Sequence, residues 1–169
     1  MNLVPKKIFF VKGKGFSSNS KLRSFEEALR EAGIEKFNIV NVSSIIPPFC
    51  EEVSKDEGIK ELKTGQVVYS VMSKISSNRK DIVICASIGA AKPVNAEDYG
   101  YLSEKHTLDE DPGKIAEIAE ALAAEMLATT HGDSINPSLN IRTKSFTEST
   151  RVRKDGEWAT VLTAAIFIL

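Results

Sequence analysis

Apolar residues recur along the chain at two spacings, about every second position and about every 3.6, and the switches between them lay out the secondary structure. Ile8 to Val11 is short, β-branched and aromatic, and reads as a first strand closed by Gly13 and Gly15, with Lys12-Gly13-Lys14-Gly15 as a loop. That loop lacks the Gly-Lys-Ser/Thr ending of a phosphate-binding loop. Phe25, Ala28, Leu29 and Ala32 then repeat at helical spacing; Ser24 with Glu27 three residues on forms a capping box, and Gly33 supplies the stop. Phe37, Ile39, Val40 and Val42 form a strand that runs into Ser43-Ser44-Ile45-Ile46-Pro47-Pro48, and the polar stretch from Glu51 to Lys63 reads as a loop. Val67, Val68, Val71, Met72 and Ile75 predict a long strand that turns over residues 76–80 into an antiparallel partner over 81–88. Gly89, Ala90 and Ala91 continue the partner, and their small side chains allow a close approach by a subunit or a ligand before Pro93 ends it.

Gly100 to Glu104 reads as another short strand. The longest helix starts at Asp111-Pro112, with Ile115, Ile118, Ala119, Leu122, Met126 and Leu127 along one face and Gly132 as its stop. Leu139 to Leu169 predicts two strands joined at Lys154-Asp155-Gly156-Glu157, where Asp-Gly favours a hairpin. The last strand, from Trp158 on, is almost continuously apolar, which predicts a central position covered on both sides. Two helices, about six strands and a preference for hairpins argue for an α+β fold and against a doubly wound parallel sheet.

Composition changes this picture little. The 169 residues, 42% hydrophobic and 27% charged, suit one soluble domain. A net charge of −1 gives no bulk attraction to nucleic acid or an anionic membrane. The N-terminal apolar run is too short for a signal-peptide core or a membrane span, so a cytoplasmic location is expected. Cys50 and Cys85 lack a Cys-x-x-Cys spacing, and His106 and His131 give no ligand pattern, so free thiols and no metal are expected.

Candidate chemistry concentrates at Ser43-Ser44. Serine pairs are ordinarily turn residues, and Ser17-Ser18 and Ser76-Ser77 carry no further signal. Only Ser43-Ser44 lies between an apolar strand and a double proline, where Pro47 pushes Ile46 toward an extended conformation.

In that setting the chain resembles the pyruvoyl-dependent arginine decarboxylases, in which a Val/Ile-Ser-Ser-Ile-hydrophobic-Pro-Pro segment undergoes self-cleavage between the serines. Phe25 to Ile34, Gly100 to Glu104 and the Ala-rich C-terminus follow the order and approximate spacing of that family, so the resemblance covers most of the chain. It implies an αββα four-layer sandwich of mostly antiparallel sheets with outer helices, cut into residues 1–43 and 44–169 and assembled as a homotrimer with sites between subunits. It also implies conversion of L-arginine to agmatine and carbon dioxide, an entry to polyamine biosynthesis. The alternatives are a pyruvoyl decarboxylase for another amino acid and a non-catalytic trimeric homologue.

Decarboxylation leaves a carbanion at Cα that needs an electron sink, supplied in this family by a pyruvoyl group within the chain rather than by pyridoxal phosphate. The Ser44 hydroxyl attacks the Ser43 carbonyl, the ester eliminates to leave dehydroalanine at position 44, and hydrolysis leaves a ketone. This requires a strained peptide and a donor to the oxyanion. By resemblance, Asn38 is the processing residue that could donate to the oxyanion, Glu104 the acid that reprotonates Cα, and Glu26 the partner of the substrate guanidinium. Glu26 stands where the family more often has aspartate, and Glu35 where a small residue is expected. Without the resemblance, Asn38 reads as a strand-edge polar residue, Glu104 as a surface carboxylate and Glu26 as part of a solvated helix face.

Overall fold

The computed structural model describes residues 3–130 and 140–169, so Gly132, His131 and Leu139 lie outside the described residues. Two mostly antiparallel sheets and three helices give an α+β fold. The elements run β1 (Lys7–Ser17), α1 (Lys21–Ala32), β2 (Asn38–Asn41), β3 (Ile45–Ile46), β4 (Glu51–Glu52), α2 (Lys55–Glu61), β5 (Val67–Ser77), β6 (Val83–Pro93), β7 (Gly100–Leu108), α3 (Pro112–Thr130), β8 (Ile141–Arg151) and β9 (Trp158–Ile168). One sheet has the order β2-β5-β9-β1-β4 and the other β3-β7-β6-β8. The edge pairings β1·β4 and β2·β5 are parallel and the remainder antiparallel.

The apolar run of β9 is explained by its place at the centre of the five-stranded sheet, with both faces covered. Alternate residues divide cleanly between two cores. Phe9, Val11, Met72, Ala164 and Ile166 face α1 together with Ala28 and Ala32, whereas Ile8, Phe10, Val71, Ala165 and Phe167 meet Ile88, Ala90 and Leu102 of the second sheet. On the far side of that second sheet α3 packs against β6, β7 and β8.

Several expectations are corrected. The first strand does not stop at Val11, and Lys12 to Gly15 is not a loop: β1 continues to Ser17, and its glycines clear space for α1. A Cβ on Gly13 would lie 2.2 Å from the Ala28 carbonyl oxygen and 2.8 Å from the Ala32 nitrogen. The cap of α1 is Ser20, in extended backbone and accepting from Arg23 N, not Ser24. Ser24 is buried in the helix and shares a 2.7 Å hydrogen bond with Thr160 of β9, which also bonds Ser76 of β5, so it pins helix to sheet. Gly33 does end α1, in left-handed backbone at φ 79.

The expected loop over 51–63 contains β4 and α2, the latter opened by a Ser54/Glu57 capping box. The strand of residues 67–77 and its successor do not form a hairpin, and neither do β8 and β9; each pair is split between the two sheets. The Lys154–Glu157 turn is present, with Gly156 at φ 79, but it carries the chain across the sandwich. The close approach at Gly89 is made by α3, whose Ala119 oxygen would lie 1.9 Å from a Cβ there. On α3 itself Ile115, Ala119, Ala123 and Leu127 are buried, and Ile118, Leu122 and Met126 only half so. The strand expected over 100–104 extends to Leu108. No helix among the described residues is long and apolar enough to cross a membrane.

A methyl group at position 13 must displace helix backbone rather than a movable side chain. Gly13→Ala is therefore expected to destabilise the fold by about 1–3 kcal/mol. Gly113→Ala, where the nearest atoms lie 3.5 Å or more from the new Cβ and the site is helical, should be neutral or stabilising by up to about 1 kcal/mol. Denaturation midpoints of the two variants check the contrast.

Candidate active site

The serine pair does not terminate one strand; it links the two sheets. β2 leaves the five-stranded sheet at Asn41, and β3 enters the four-stranded sheet at Ile45. Val42 N donates to the Ser70 carbonyl of β5 at 2.9 Å, and the Ser44 carbonyl accepts from Leu102 N of β7 at 2.7 Å. The Ser43–Ser44 peptide is thus tied at one end to each sheet. Ser43 is exposed and Ser44 half-buried. Ser70, the sheet residue that holds Val42, is buried with no partner for its hydroxyl among the described residues.

Glu104 is two residues beyond Leu102 on β7 and aligns with Ile88 of β6, which places both on the inward face of the sheet. The carboxylate side chain therefore leaves the strand on the face where the crossover runs. Although Glu104 is exposed in the single chain, partial desolvation pushes its carboxyl above the ordinary range; His106, next on the same face, pulls in the opposite direction. Ser43, Ser44 and Glu104 are brought to one edge of the sandwich.

Beside that edge lies a mostly apolar cavity of about 660 Å³ lined by Ser43, Val42, Ile45, Pro47, Tyr69 and Tyr101 among others. Tyr69 and Tyr101 were not singled out from the sequence. Tyr69 sits among apolar residues in a strand, and only register shows that it faces the crossover. The double proline leads into Phe49, whose φ of 58 is unusual for a bulky residue and whose N donates to the Ala96 carbonyl at 2.8 Å. Left-handed strain in this segment falls at Phe49 rather than at the serines.

The other two residues lie apart from the serines within one chain. Asn38 is at the opposite end of β2, exposed, with its amide donating to the Gly65 carbonyl at 2.7 Å. Glu26 is on α1 and is ion-paired with Arg30, one turn along. Glu35 is exposed after the helix. Asn38 and the neighbours of Glu26 meet in a separate recess of about 280 Å³ lined by Phe25, Leu29, Phe37, Asn41 and Met72.

With this geometry in hand, the family model described as pyruvoyl-dependent arginine decarboxylase matches residues 7–169. The chain is 46% identical over 167 residues to pyruvoyl-dependent arginine decarboxylase 1 of Methanosarcina acetivorans, covering 99% of this chain and 98% of that one. It is 44% identical over 167 residues to the protein of the same name in Methanosarcina mazei, with the same coverage. Against the pyruvoyl-dependent arginine decarboxylase of Methanococcoides burtonii it is 44% identical over 186 residues, covering 99% and 100%.

The direction of the Glu104 shift has a consequence for stability. A carboxyl raised in the folded state binds its proton more tightly there than in the unfolded chain, so it favours folding at low pH. Its ionised form costs stability once the pH has passed the folded value. Glu104→Gln should therefore be more stable than the parent at pH 7, with the advantage shrinking as pH falls toward about 4, the unfolded carboxylate value. Urea midpoints of both proteins across that range test this; an advantage independent of pH would contradict it.

Proposed function

Because the chain belongs to the pyruvoyl-dependent arginine decarboxylase family, we propose that it is a self-processing enzyme that converts L-arginine to agmatine and carbon dioxide, in the cytoplasm and in the service of polyamine synthesis. The observation that carries the reading is the crossover: a serine pair tethered at its two ends to different sheets, with an acid of raised pKa on the facing strand.

In this reading one domain, a four-layer αββα stack, is cut between Ser43 and Ser44 into residues 1–43 and 44–169. The Ser44 Oγ adds to the Ser43 carbonyl carbon, and the peptide C–N bond breaks to leave an ester. Loss of the Ser44 α-proton expels Ser43 as a carboxylate. Water then releases ammonia from position 44 and leaves the ketone. The two tethers favour this course because neither end of the peptide can retreat when the tetrahedral centre forms. Asn38 is assigned to the oxyanion of that centre.

The pyruvoyl group so formed supplies the electron sink for decarboxylation, without metal or pyridoxal phosphate. The residues suit it: position 44 is half-buried, its carbonyl is held by Leu102 N, and Glu104 is within two residues of that anchor on the inward face. Glu104, whose carboxyl is pushed above its ordinary range by desolvation, delivers a proton to Cα. Glu26 pairs with the substrate guanidinium through its fork. Because Glu26 and Asn38 lie apart from the serines within one chain, the site is completed by a neighbouring subunit, and a homotrimer is the assembly proposed. A second reading, a different amino acid as substrate, draws on the Glu26–Arg30 pair, which an incoming guanidinium must break.

Intact-mass measurement tests processing. The purified chain is expected to resolve into residues 1–43 and 44–169, and Ser44→Ala to stay whole because it lacks the attacking oxygen. A full-length parent after prolonged incubation, or a cut elsewhere, overturns the mechanism.

Turnover is tested separately. Processed Glu104→Gln should retain cleavage but lose about 10²–10⁴-fold in agmatine formation, the usual worth of a general acid. Near-parental rates in a fully cleaved variant would remove Glu104 from the proton-transfer step.

A further inference from the structure

A second cavity opens between the sheets on the other side of the segment that follows the serines. Its volume is about 430 Å³, and its floor is apolar, formed by Ile8, Phe10, Ile46 and Ala90. Around that floor stand three cations, Lys92, Arg142 and Lys144, and one carboxylate, Glu52. Register fixes how they face one another. Lys92 of β6 is directly opposite Arg142 of β8, and Lys144 is opposite Ala90. Ala90 and Ile88 belong to the core between the sheets, so Lys92, Arg142 and Lys144 all leave the ladder on that inward face.

Two like charges in a directly opposed cross-strand pair stand with Cβ atoms about 4.5–5.5 Å apart and destabilise a sheet. Among the described residues no carboxylate is ion-paired to either member of this pair. Glu52 is ion-paired to Lys144, which also lies over the stacked rings of Phe10 and Phe146. The Lys92 ammonium donates to the Cys50 carbonyl, a neutral acceptor, and is half-buried. The Arg142 guanidinium has no acceptor among the described residues. The cavity is therefore lined by a half-buried ammonium and an exposed guanidinium, neither with a carboxylate partner, beside an apolar floor.

We propose that this cavity is a binding site for a small oxyanion, a carboxylate or a phosphate group, clamped between Lys92 and Arg142. The guanidinium presents two parallel donors to such a group and the ammonium a third from the opposite strand. The oxyanion neutralises the repulsion that the cross-strand pair creates, and the apolar floor accommodates a short hydrocarbon attached to it. Ile46 and Cys50, both in the cavity wall, bracket Pro47-Pro48, so the ligand also braces the segment leading from Ser44. The site rests on charge placement and not on serine chemistry, so it is expected in uncleaved Ser44→Ala protein as well.

The experiment is titration of the full-chain protein, parent and Ser44→Ala, with inorganic phosphate and separately with butyrate. Ionic strength is held constant, and binding is read by calorimetry and by the thermal midpoint. Saturable binding with a rise in midpoint is expected for at least one probe, and the stronger probe identifies which oxyanion the site prefers. Loss of a charge-assisted contact should weaken binding at least about tenfold in both Arg142→Ala and Lys92→Met, and leave it unchanged in Lys63→Ala on the exposed surface. In the absence of either probe Arg142→Ala should melt higher than the parent, because one of the two opposed charges is gone. No saturable response to either probe, or equal weakening by Lys63→Ala, or binding indifferent to both Arg142 and Lys92, overturns the proposal.

Discussion

The molecule depends on a connection that must leave one sheet and enter the other within three residues. Asn41 is the last residue of β2 and Ile45 the first of β3, and the sheets they belong to pack face to face. Packed sheets stand about 10 Å apart, and the four steps from Asn41 to Ile45 span at most about 14 Å, so the chain crosses directly, with a bend at Ser44. The hydrogen bonds from Val42 to Ser70 and from Leu102 to Ser44 therefore act as fixed ends. Burial of β5 and β9 behind one end, and of β6 and β7 behind the other, holds the serine peptide at both ends, with no positive φ at either serine.

Much of this was legible because both sheets and the helices obey simple periodicities. The apolar run of Trp158 to Ile168 announced a covered central strand, and Gly33 and Asp111-Pro112 marked real helix boundaries. What failed was pairing. A turn between two strands reads the same whether the strands hydrogen-bond to each other or diverge into different sheets, so residues 76–80 and 154–157 suggested hairpins that do not exist. Gly13 and Gly15 were mistaken for a loop because glycine marks both turns and close backbone approaches; only the facing small residues Ala28 and Ala32, a dozen or more positions on, distinguish the two cases. Helix α2 escaped notice because seven residues with one aliphatic side chain show no stripe, although its Ser54/Glu57 box was present in the sequence.

Charge on the inward face of the second sheet is the exception to its patterning, and it is not scattered. The inward series on β7 is Leu102, Glu104, His106, and on β8 it is Arg142, Lys144, Phe146, Glu148. Glu104 lies on β7, whereas Lys92, Arg142 and Lys144 line one cavity from β6 and β8, and Glu148 further along β8 pairs with Lys14 of β1. Departures from local consistency that persist in a folded chain tend to mark function. Here the proposed proton donor and the proposed oxyanion site fall at different places on that face. Of these charged residues the family resemblance pointed only to Glu104; the opposed Lys92 and Arg142 become visible only once strand register is known.

The separation of Asn38 and Glu26 from the serines follows from the same topology. From Asn38 to Ser43 is five steps of extended chain, about 16 Å at roughly 3.3 Å per residue, far beyond the reach of an asparagine side chain. Its amide is meanwhile engaged with Gly65, and Glu26 with Arg30. If Asn38 steadies the oxyanion at Ser43, the amide must come from another copy of the chain, and the surface presenting Asn38 and α1 must meet the edge presenting the crossover. These are two different patches of one molecule, so the contact is head to tail, and such a contact gives a ring where its rotation closes and a filament where it does not. Thus the crossover that holds the peptide at both ends also keeps a single chain from bringing all of its proposed groups to it, and the proposed ring assembly answers the length of β2 itself.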